Sequence, residues 1–176
     1  MQLRTGCTRY FVRMCHYCGC REIPLIKEFI AEHDQVKDLA GDAERAFDRG
    51  ETARVRELVR AMATILQAHW RGEEDGLFAV MRGDPEYADY IAALMREHRE
   101  LAELLDTADP DDAADRKKLF EAFDELHHHI AKEEDGLFPA SLTALSGEEW
   151  NRSIAAWRAA HPDRDPDPDE AGQLPG

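Results

Sequence analysis

Apolar residues recur along most of the chain at intervals of three and four, the pattern of helices that bury one face. Five segments show this pattern, and proline, glycine or aspartate lies at their boundaries. Alternating strand patterns are absent from the sequence. The five segments cover approximately residues 24–50, 51–81, 85–109, 113–145 and 148–160.

The four longer segments predict an all-α fold, an up-down-up-down four-helix bundle closed by short connections. The fifth, C-terminal segment is shorter and is predicted to lie across the bundle as a cap. We expect residues 1–22 to form an N-terminal extension and residues 23–160 to form the bundle with its capping helix. Residues 161–176 alternate aspartate with proline and are expected to be disordered.

Charge narrows the classes of function. The formal net charge is −15, so the surface repels nucleic acid and anionic lipid, and we expect neither as a partner. No apolar run approaches the roughly 18 residues that a membrane helix needs. Residues 1–13 lack the apolar stretch of a secretory signal, which favours the cytoplasm, and Met14 is an alternative start to Met1.

The chain contains an internal repeat. Residues 69–78 read HWRGEEDGLF, and residues 129–138 read HIAKEEDGLF. Upstream of each copy lies a Glu-His pair, Glu32-His33 in the first helix and Glu97-His98 in the third. The pattern is that of a duplicated helical hairpin, and a pseudo-two-fold arrangement suits a site for two ions at the bundle centre.

Six polar residues of this repeat fall on the apolar faces of the four helices. Each helix directs one histidine inward, and in two helices a glutamate follows one turn later on the same face. Burying unpaired carboxylates costs several kcal/mol, so polar groups that converge in a core need a partner such as a metal cation. The six residues are His33, His69, Glu73, His98, His129 and Glu133.

These residues have other possible interpretations. A single inward histidine is more often a satisfied core residue, but four in phase, with two repeated glutamates, favour a metal site. Gly76 and Gly136 could loosen the two helices, so Glu74 and Glu134 remain alternatives to the glutamates that precede them.

The remaining histidines of the helical part are not predicted to be ligands. His128 is expected to be solvated and His127 half-buried. His161 falls in the tail and is expected to have no role.

These motifs resemble the hemerythrin-like, or HHE cation-binding, domain, whose signature is a histidine followed by HxxxE(E)xxLF, given twice. The resemblance covers about residues 23–145. It implies two iron ions bridged by Glu73, Glu133 and an oxo or hydroxo group, with the four histidines as terminal ligands. The matching elements are His33, His69-x-x-x-Glu73-Glu74-x-x-Leu77-Phe78, His98 and His129-x-x-x-Glu133-Glu134-x-x-Leu137-Phe138.

One position departs from the family pattern. Oxygen-carrying hemerythrins have a fifth histidine one turn after the third-helix ligand, and Ala102 occupies that position here. The resemblance then implies an open or solvent-filled position on one or both irons. This favours a reactive or sensing centre over a stable oxygen carrier.

All four cysteines lie before residue 21, too close together to staple distant parts of the fold. Cys15, Cys18 and Cys20 have a spacing that suits a second site, either for zinc or for redox chemistry. A complete zinc site needs a further ligand from Cys7, His16 or a second subunit. The absence of any role is the third interpretation.

The leading functional hypothesis is therefore a non-haem di-iron protein that binds or reacts with a small oxidant: dioxygen, peroxide or nitric oxide. Sensing, scavenging and peroxide decomposition all fit, so the sequence leaves open whether the protein is an enzyme. The alternatives are an iron buffer or store, a bundle stabilised by metal without turnover, and an interaction module with structural histidines. A homodimer is also left open.

Overall fold

The computed structural model describes residues 19–164, which form helices joined by short turns without any strand. A 3-10 turn, Cys20–Glu22, precedes the first helix. None of the helices in this part of the chain is both long and apolar enough to cross a bilayer. The helices are α1 Pro24–Asp48, α2 Thr52–Gly72, α3 Phe78–Met81, α4 Pro85–Thr107, α5 Ala113–Lys132, α6 Phe138–Ala144 and α7 Gly147–Ala160.

Two π-helical turns make continuous long helices from the shorter pieces. Glu73–Leu77 joins α2 to α3, and Glu133–Leu137 joins α5 to α6. The bundle therefore has four long members, with α1 packed against α2 and α5, and α4 packed against the same two helices. The predicted all-α fold, a four-helix bundle with a short C-terminal helix, is confirmed.

Capping and turn residues that are recognisable in the sequence determine where the helices begin and end. The carboxylate of Asp84 accepts a hydrogen bond from the N–H of Glu86 at 2.9 Å, which caps the start of α4. Asp112 caps α5 in the same way through the N–H of Ala114. Gly50 lies in the connection between α1 and α2 with a φ of 73°, a conformation that favours glycine. These caps keep the connections short and the helices antiparallel.

The core consists of two apolar clusters on either side of a polar layer. One cluster lies around Met62, Leu66 and Phe123, and the other lies around Phe29 and Phe78. Along each long helix an inward histidine lies between residues of the first cluster and residues of the second. The polar layer is therefore enclosed by packed hydrocarbon at both ends.

Helix α7 packs across α2 and the first π-helical turn, as a cap. Two glycines permit this close approach. A Cβ added at Gly72 would lie 3.0 Å from Cδ1 of Trp157, and one added at Gly76 would lie 3.0 Å from the carbonyl oxygen of Ser153. The second half of the repeat has Lys132 in place of Gly72, so α7 breaks the symmetry of the duplicated hairpins.

Candidate metal centre

The four inward histidines come from four different long helices and meet in two pairs. The Nε2 atoms of His33 and His69 lie 3.1 Å apart, and those of His98 and His129 lie 3.0 Å apart. All four residues are at least 95% buried, with exposures of 1% to 5%. The sequence repeat thus appears in three dimensions as two histidine pairs within one polar layer.

Two glutamates connect the pairs. Glu73 Oε2 lies 3.4 Å from Nε2 of His69 and 3.6 Å from Nε2 of His98. Glu133 Oε1 lies 2.9 Å from Nε2 of His129, while its Oε2 lies 3.2 Å from Nε2 of His33. Each carboxylate therefore reaches from a histidine of one pair to a histidine of the other. All six predicted residues lie in this one cluster.

The opposite ring nitrogen of every histidine faces another carboxylate, which belongs to a different long helix. Two of these carboxylates come from the Glu-His pairs, and two come from the second glutamate of each Glu-Glu pair. The four contacts of Nδ1 are His33 with Glu134 at 3.0 Å, His69 with Glu32 at 2.9 Å, His98 with Glu74 at 2.8 Å and His129 with Glu97 at 2.8 Å.

The sequence left open whether Glu74 and Glu134, instead of Glu73 and Glu133, are the metal ligands. Their positions in the structure bear on this alternative. Both glutamates point to the Nδ1 side of an imidazole, away from the layer where the Nε2 atoms meet. Their place is that of carboxylates that orient a histidine from behind. Sequence reasoning gave no such role to Glu32 and Glu97, although both recur beside an inward histidine in the repeat.

These contacts determine which nitrogen of each ring carries hydrogen. A carboxylate accepts hydrogen bonds, so each Nδ1 is the protonated nitrogen that donates. In the neutral imidazole Nε2 then has a bare lone pair, and these lone pairs point at one another and at Glu73 and Glu133. Such a cluster of acceptors is stable only with positive charge among them, supplied by protons or by a metal ion.

The pKa values of the carboxylates reflect this crowding. Burial raises the pKa of Glu73 well above its usual range, and the negative charge of Glu133 adds to the effect. Burial acts in the same direction on Glu133, but the neighbouring imidazoles of His129 and His33 outweigh it, and the pKa of Glu133 lies well below its usual range. The carboxyl groups of Glu73 and Glu133 therefore differ in their proton occupancy.

The histidines also differ in pKa. Burial opposes the charged form of His129, yet Glu133 and Glu97 raise the pKa of this imidazole to about 9. Burial lowers the pKa of His69 to about 4, despite the carboxylate beside its Nδ1. Without a metal, protons on some of these groups supply the positive charge that the cluster requires.

The π-helical turns allow the histidine at the start of each repeated motif and the phenylalanine at its end both to point into the core. The N–H of Phe78 donates to the carbonyl of Glu73, five residues earlier, and Phe138 does the same with Glu133. On a straight α-helix Phe78 would point about 180° from His69, at 100° per residue. The widened turn brings it back into the core, where it is fully buried.

Aromatic rings enclose the imidazoles. Phe138 stacks on His33 with ring centroids 5.9 Å apart, and Phe78 stacks on His98 at 5.6 Å. The surroundings of His33 and His98 differ, because Trp70 also stacks on His98, with ring centroids 5.0 Å apart. The Leu-Phe end of each repeated motif thus forms an apolar wall that limits water at the site.

Three further histidines lie outside this cluster. His128 is exposed, as expected, whereas His127 is exposed and not half-buried. His161 has a partner that the sequence did not predict, since its Nε2 lies 2.8 Å from Oε1 of Glu32. The carboxylate that orients His69 is therefore itself held from the C-terminal end of α7.

Of the cysteines proposed as a second site, Cys20 alone lies within the described residues. It is half-buried and packs against the apolar cluster around Phe29. Cys15 and Cys18 lie outside the described residues, so a zinc or redox site there stays a prediction.

The donor atoms fit a cation. His33, His69, Glu73 and Glu133 each offer one ligand atom within 4.8 Å of the others, and His98, His129 and Glu133 form a second such group. The four carboxylate oxygens of Glu73 and Glu133 are buried and accept no hydrogen bond of normal geometry within the described part of the chain. Unsatisfied buried carboxylates facing bare imidazole nitrogens are the features of a metal centre.

Fold and site together define a class of protein, the helical bundle with a buried histidine and glutamate centre for cations. Residues 25–141 match the Hemerythrin HHE cation binding domain family. The match covers nearly all of the four long helices, and the chain belongs to this family. Searches of curated proteins and of solved structures gave no match.

Proposed function

We propose that the protein holds two iron ions in this centre and that it binds or reacts with a small oxidant such as dioxygen, peroxide or nitric oxide. The observation that carries the proposal is the pairing of the bare Nε2 atoms, each pair connected to the other by Glu73 and Glu133. A donor set of imidazole and carboxylate suits iron, with zinc as its main competitor.

The residues divide into two roles in this proposal. His33, His69, His98 and His129 are terminal ligands, and Glu73 and Glu133 bridge the two ions. Bound iron supplies the electrons for chemistry with the oxidant. The four carboxylates at the Nδ1 atoms keep a proton on that nitrogen and thereby direct the lone pair of Nε2 toward the centre.

The surroundings of the site favour reaction with a small molecule over exposure to bulk solvent. Phe78, Phe138 and Trp70 line the imidazoles with apolar surface. Ala102 stands where oxygen-carrying hemerythrins have an additional histidine, so α4 supplies one imidazole to the cluster, that of His98. The proposed open position therefore belongs to the half of the site with His98.

Metal analysis and spectroscopy test the proposal. The chain purified aerobically should contain about two irons and show the near-ultraviolet absorption of a bridged ferric pair. Addition of peroxide to the oxidised protein, or of nitric oxide to the reduced protein, should change that spectrum. His69→Ala and Glu133→Ala should lose iron and keep their helix content, whereas the exposed His128→Ala should keep both irons.

The alternatives give different outcomes. Iron that binds without any spectral response to oxidants would indicate a buffer or store. Zinc as the only bound metal would indicate a bundle stabilised by metal. A chain whose stability does not change when a chelator is added would indicate structural histidines. If His69→Ala and Glu133→Ala both retain two irons, the ligand assignment is wrong.

A further inference from the structure

The two halves of the centre are buried to different extents. We call the half with His33 and His69 the closed half and the half with His98 and His129 the open half. Behind the closed half, the side chains of Glu32 and Glu134 are 1% and 10% exposed. Behind the open half, those of Glu74 and Glu97 are 28% and 34% exposed. The duplicated sequence therefore does not produce a symmetric site.

The segment that follows α7 covers Glu32, one of the two carboxylates behind the closed half. His161 Nε2 and Arg164 Nη1 lie 2.8 Å and 3.1 Å from the same oxygen of Glu32. Arg164 also contacts Glu28 at 2.9 Å, and the ring of His161 stacks on Trp157 at 4.3 Å. Two cationic side chains thus hold the carboxylate that orients His69. The indole of Trp157 contacts both of them, since the guanidinium of Arg164 also lies over its ring, 5.4 Å from the centroid.

The carboxylates of the open half have weaker support. Glu97 pairs with Lys132 at 2.6 Å, and this lysine is 41% exposed. Glu74 has its one ion pair among residues 19–164 with His98. Because exposed pairs exchange readily with water, the histidines of the open half are held less firmly than those of the closed half.

A cavity of about 400 Å³ reaches the open half. His98 and His129 form part of its lining, together with the apolar side chains of Leu101 and Leu104. Since a water molecule occupies about 30 Å³, the cavity has room for a hydrated cation or for several small molecules.

The mouth of this cavity is acidic. Glu97, Glu100 and Glu125 are among its lining residues, and the chain as a whole has a formal net charge of −15. Such a potential concentrates cations and repels anions. The cavity therefore suits a divalent cation that moves between solvent and the open half.

We propose that the two halves exchange their cations unequally: the open half loads and releases through this cavity, and the closed half retains its ion because His161 and Arg164 hold Glu32. The inference rests on the proposed metal function. It assigns a positioning role to His161 and Arg164, and an access role to the cavity beside Leu104.

Release of Fe(II) to an excess of a coloured ferrous chelator, under anaerobic conditions, tests the inference. The loaded wild-type chain should release its iron in two phases of similar amplitude with rates at least about tenfold apart. His98→Ala should lose the fast phase, and His69→Ala should lose the slow one. Release of both ions in a single phase would overturn the proposal.

Variants at the two proposed elements give the second part of the test. Leu104→Trp fills the cavity and should slow the fast phase about tenfold without changing the slow phase. Thr64→Trp, which places the same side chain in a neighbouring groove lined by Arg60 and Ala63, is the matched control and should leave both phases unchanged. If Leu104→Trp lacks wild-type helix content, Leu101→Phe replaces it.

The C-terminal contacts are tested separately. His161→Gln with Arg164→Gln should accelerate the slow phase by roughly 10–100-fold, the range typical for residues that orient metal ligands. Arg152→Gln, on the exposed side of α7, is the control. If neither set of variants changes the rate of either release phase, the inference is overturned and the metal function remains intact. A chain that binds no metal would instead refute the proposed function.

Discussion

Oε1 of Glu134 lies 3.0 Å from Nδ1 of His33, on the side of the imidazole opposite the paired Nε2 atoms. Adjacent glutamates of one π-helical turn therefore contact opposite nitrogens of the same imidazole, since Oε2 of Glu133 lies 3.2 Å from Nε2 of His33. Glu133 faces the Nε2 atoms of the centre, and Glu134 reaches behind a histidine of another long helix. The same division holds in the first copy of the repeat, where Glu74 lies behind His98.

This division predicts unequal effects of two neighbouring substitutions. Glu134→Gln should keep both irons with metal affinity reduced by roughly 10–100-fold, because the amide still contacts His33 but orients it less strongly. Glu133→Gln should lose iron outright, because it alters a carboxylate that we propose bridges the two ions. Metal content after dialysis against graded chelator measures both. The reverse order of severity would show that Glu134, and not Glu133, is the bridging residue.

The approach of α7 to α2 predicts opposite effects at two helical glycines. Gly72→Val should destabilise the fold by about 1–3 kcal/mol, because its Cβ would lie 3.0 Å from Trp157 Cδ1 and 3.3 Å from its Cα. Gly41→Ala should stabilise it by about 0.5–1 kcal/mol, because the nearest atoms belong to the flexible, exposed end of Arg45. Urea unfolding at matched metal content measures both, and equal losses of stability would contradict the packing at Gly72.

Helical periodicity was enough to predict the bundle and to place the six residues of the cluster in one layer. A histidine such as His33, between Ile30 and Val36 on one face, can only point inward once that face is buried. The repeat added the pairing, since two matching hairpins bring equivalent residues together. These predictions succeed because they depend on spacing within one helix.

The missed features depend on relations that spacing within one helix does not contain. In the sequence, the π-helical turns are indicated only by the glycine that follows the Glu-Glu-Asp run, and a glycine at that position is also compatible with a straight helix. The contact of Glu32 with His69 requires the relative placement of two helices. His161 follows the last apolar stripe, so its position against Glu32 depends on how α7 crosses the bundle.

The contacts of His161 predict a pH-dependent contribution to stability. Its Nδ1 lies 2.8 Å from the carbonyl oxygen of Trp157, and its Nε2 faces Glu32. Burial opposes the charged imidazole, but these two acceptors raise the pKa of His161 above its ordinary value of 6.5. A raised pKa stabilises the fold fully below pH 6.5, and the contribution is lost as pH rises through the folded value.

The metal-free His161→Gln variant should therefore melt at a lower temperature than the wild type at about pH 6, and the difference should shrink by about pH 9. Thermal unfolding followed by circular dichroism measures the difference. His128→Gln, at an exposed position, is the control and should match the wild type across this range. A difference that is constant with pH would mean that His161 acts through packing alone.

Metal binding should release protons, because a nitrogen or oxygen atom that binds the metal ion cannot also keep its proton. Burial and the charge of Glu133 raise the pKa of Glu73, and the pKa of His129 is raised to about 9, against opposing burial, by Glu133 and Glu97. His129 is then protonated at pH 7 in the metal-free chain, and Glu73 keeps its proton to a higher pH than an ordinary carboxyl, whereas a ligand must offer a free lone pair. At least one proton should therefore leave at pH 7 for each centre filled.

Calorimetric titration with Fe(II) in two buffers of different ionisation enthalpy gives the number of protons released. That number should fall as the pH is raised to about 10, because His129 has then already lost its proton. His129→Ala should release fewer protons at pH 7 for each ion it still binds. Binding without proton release at pH 7 would mean that neither Glu73 nor His129 carries a proton that the cation displaces, and the assignment of positive charge within the metal-free cluster would be wrong.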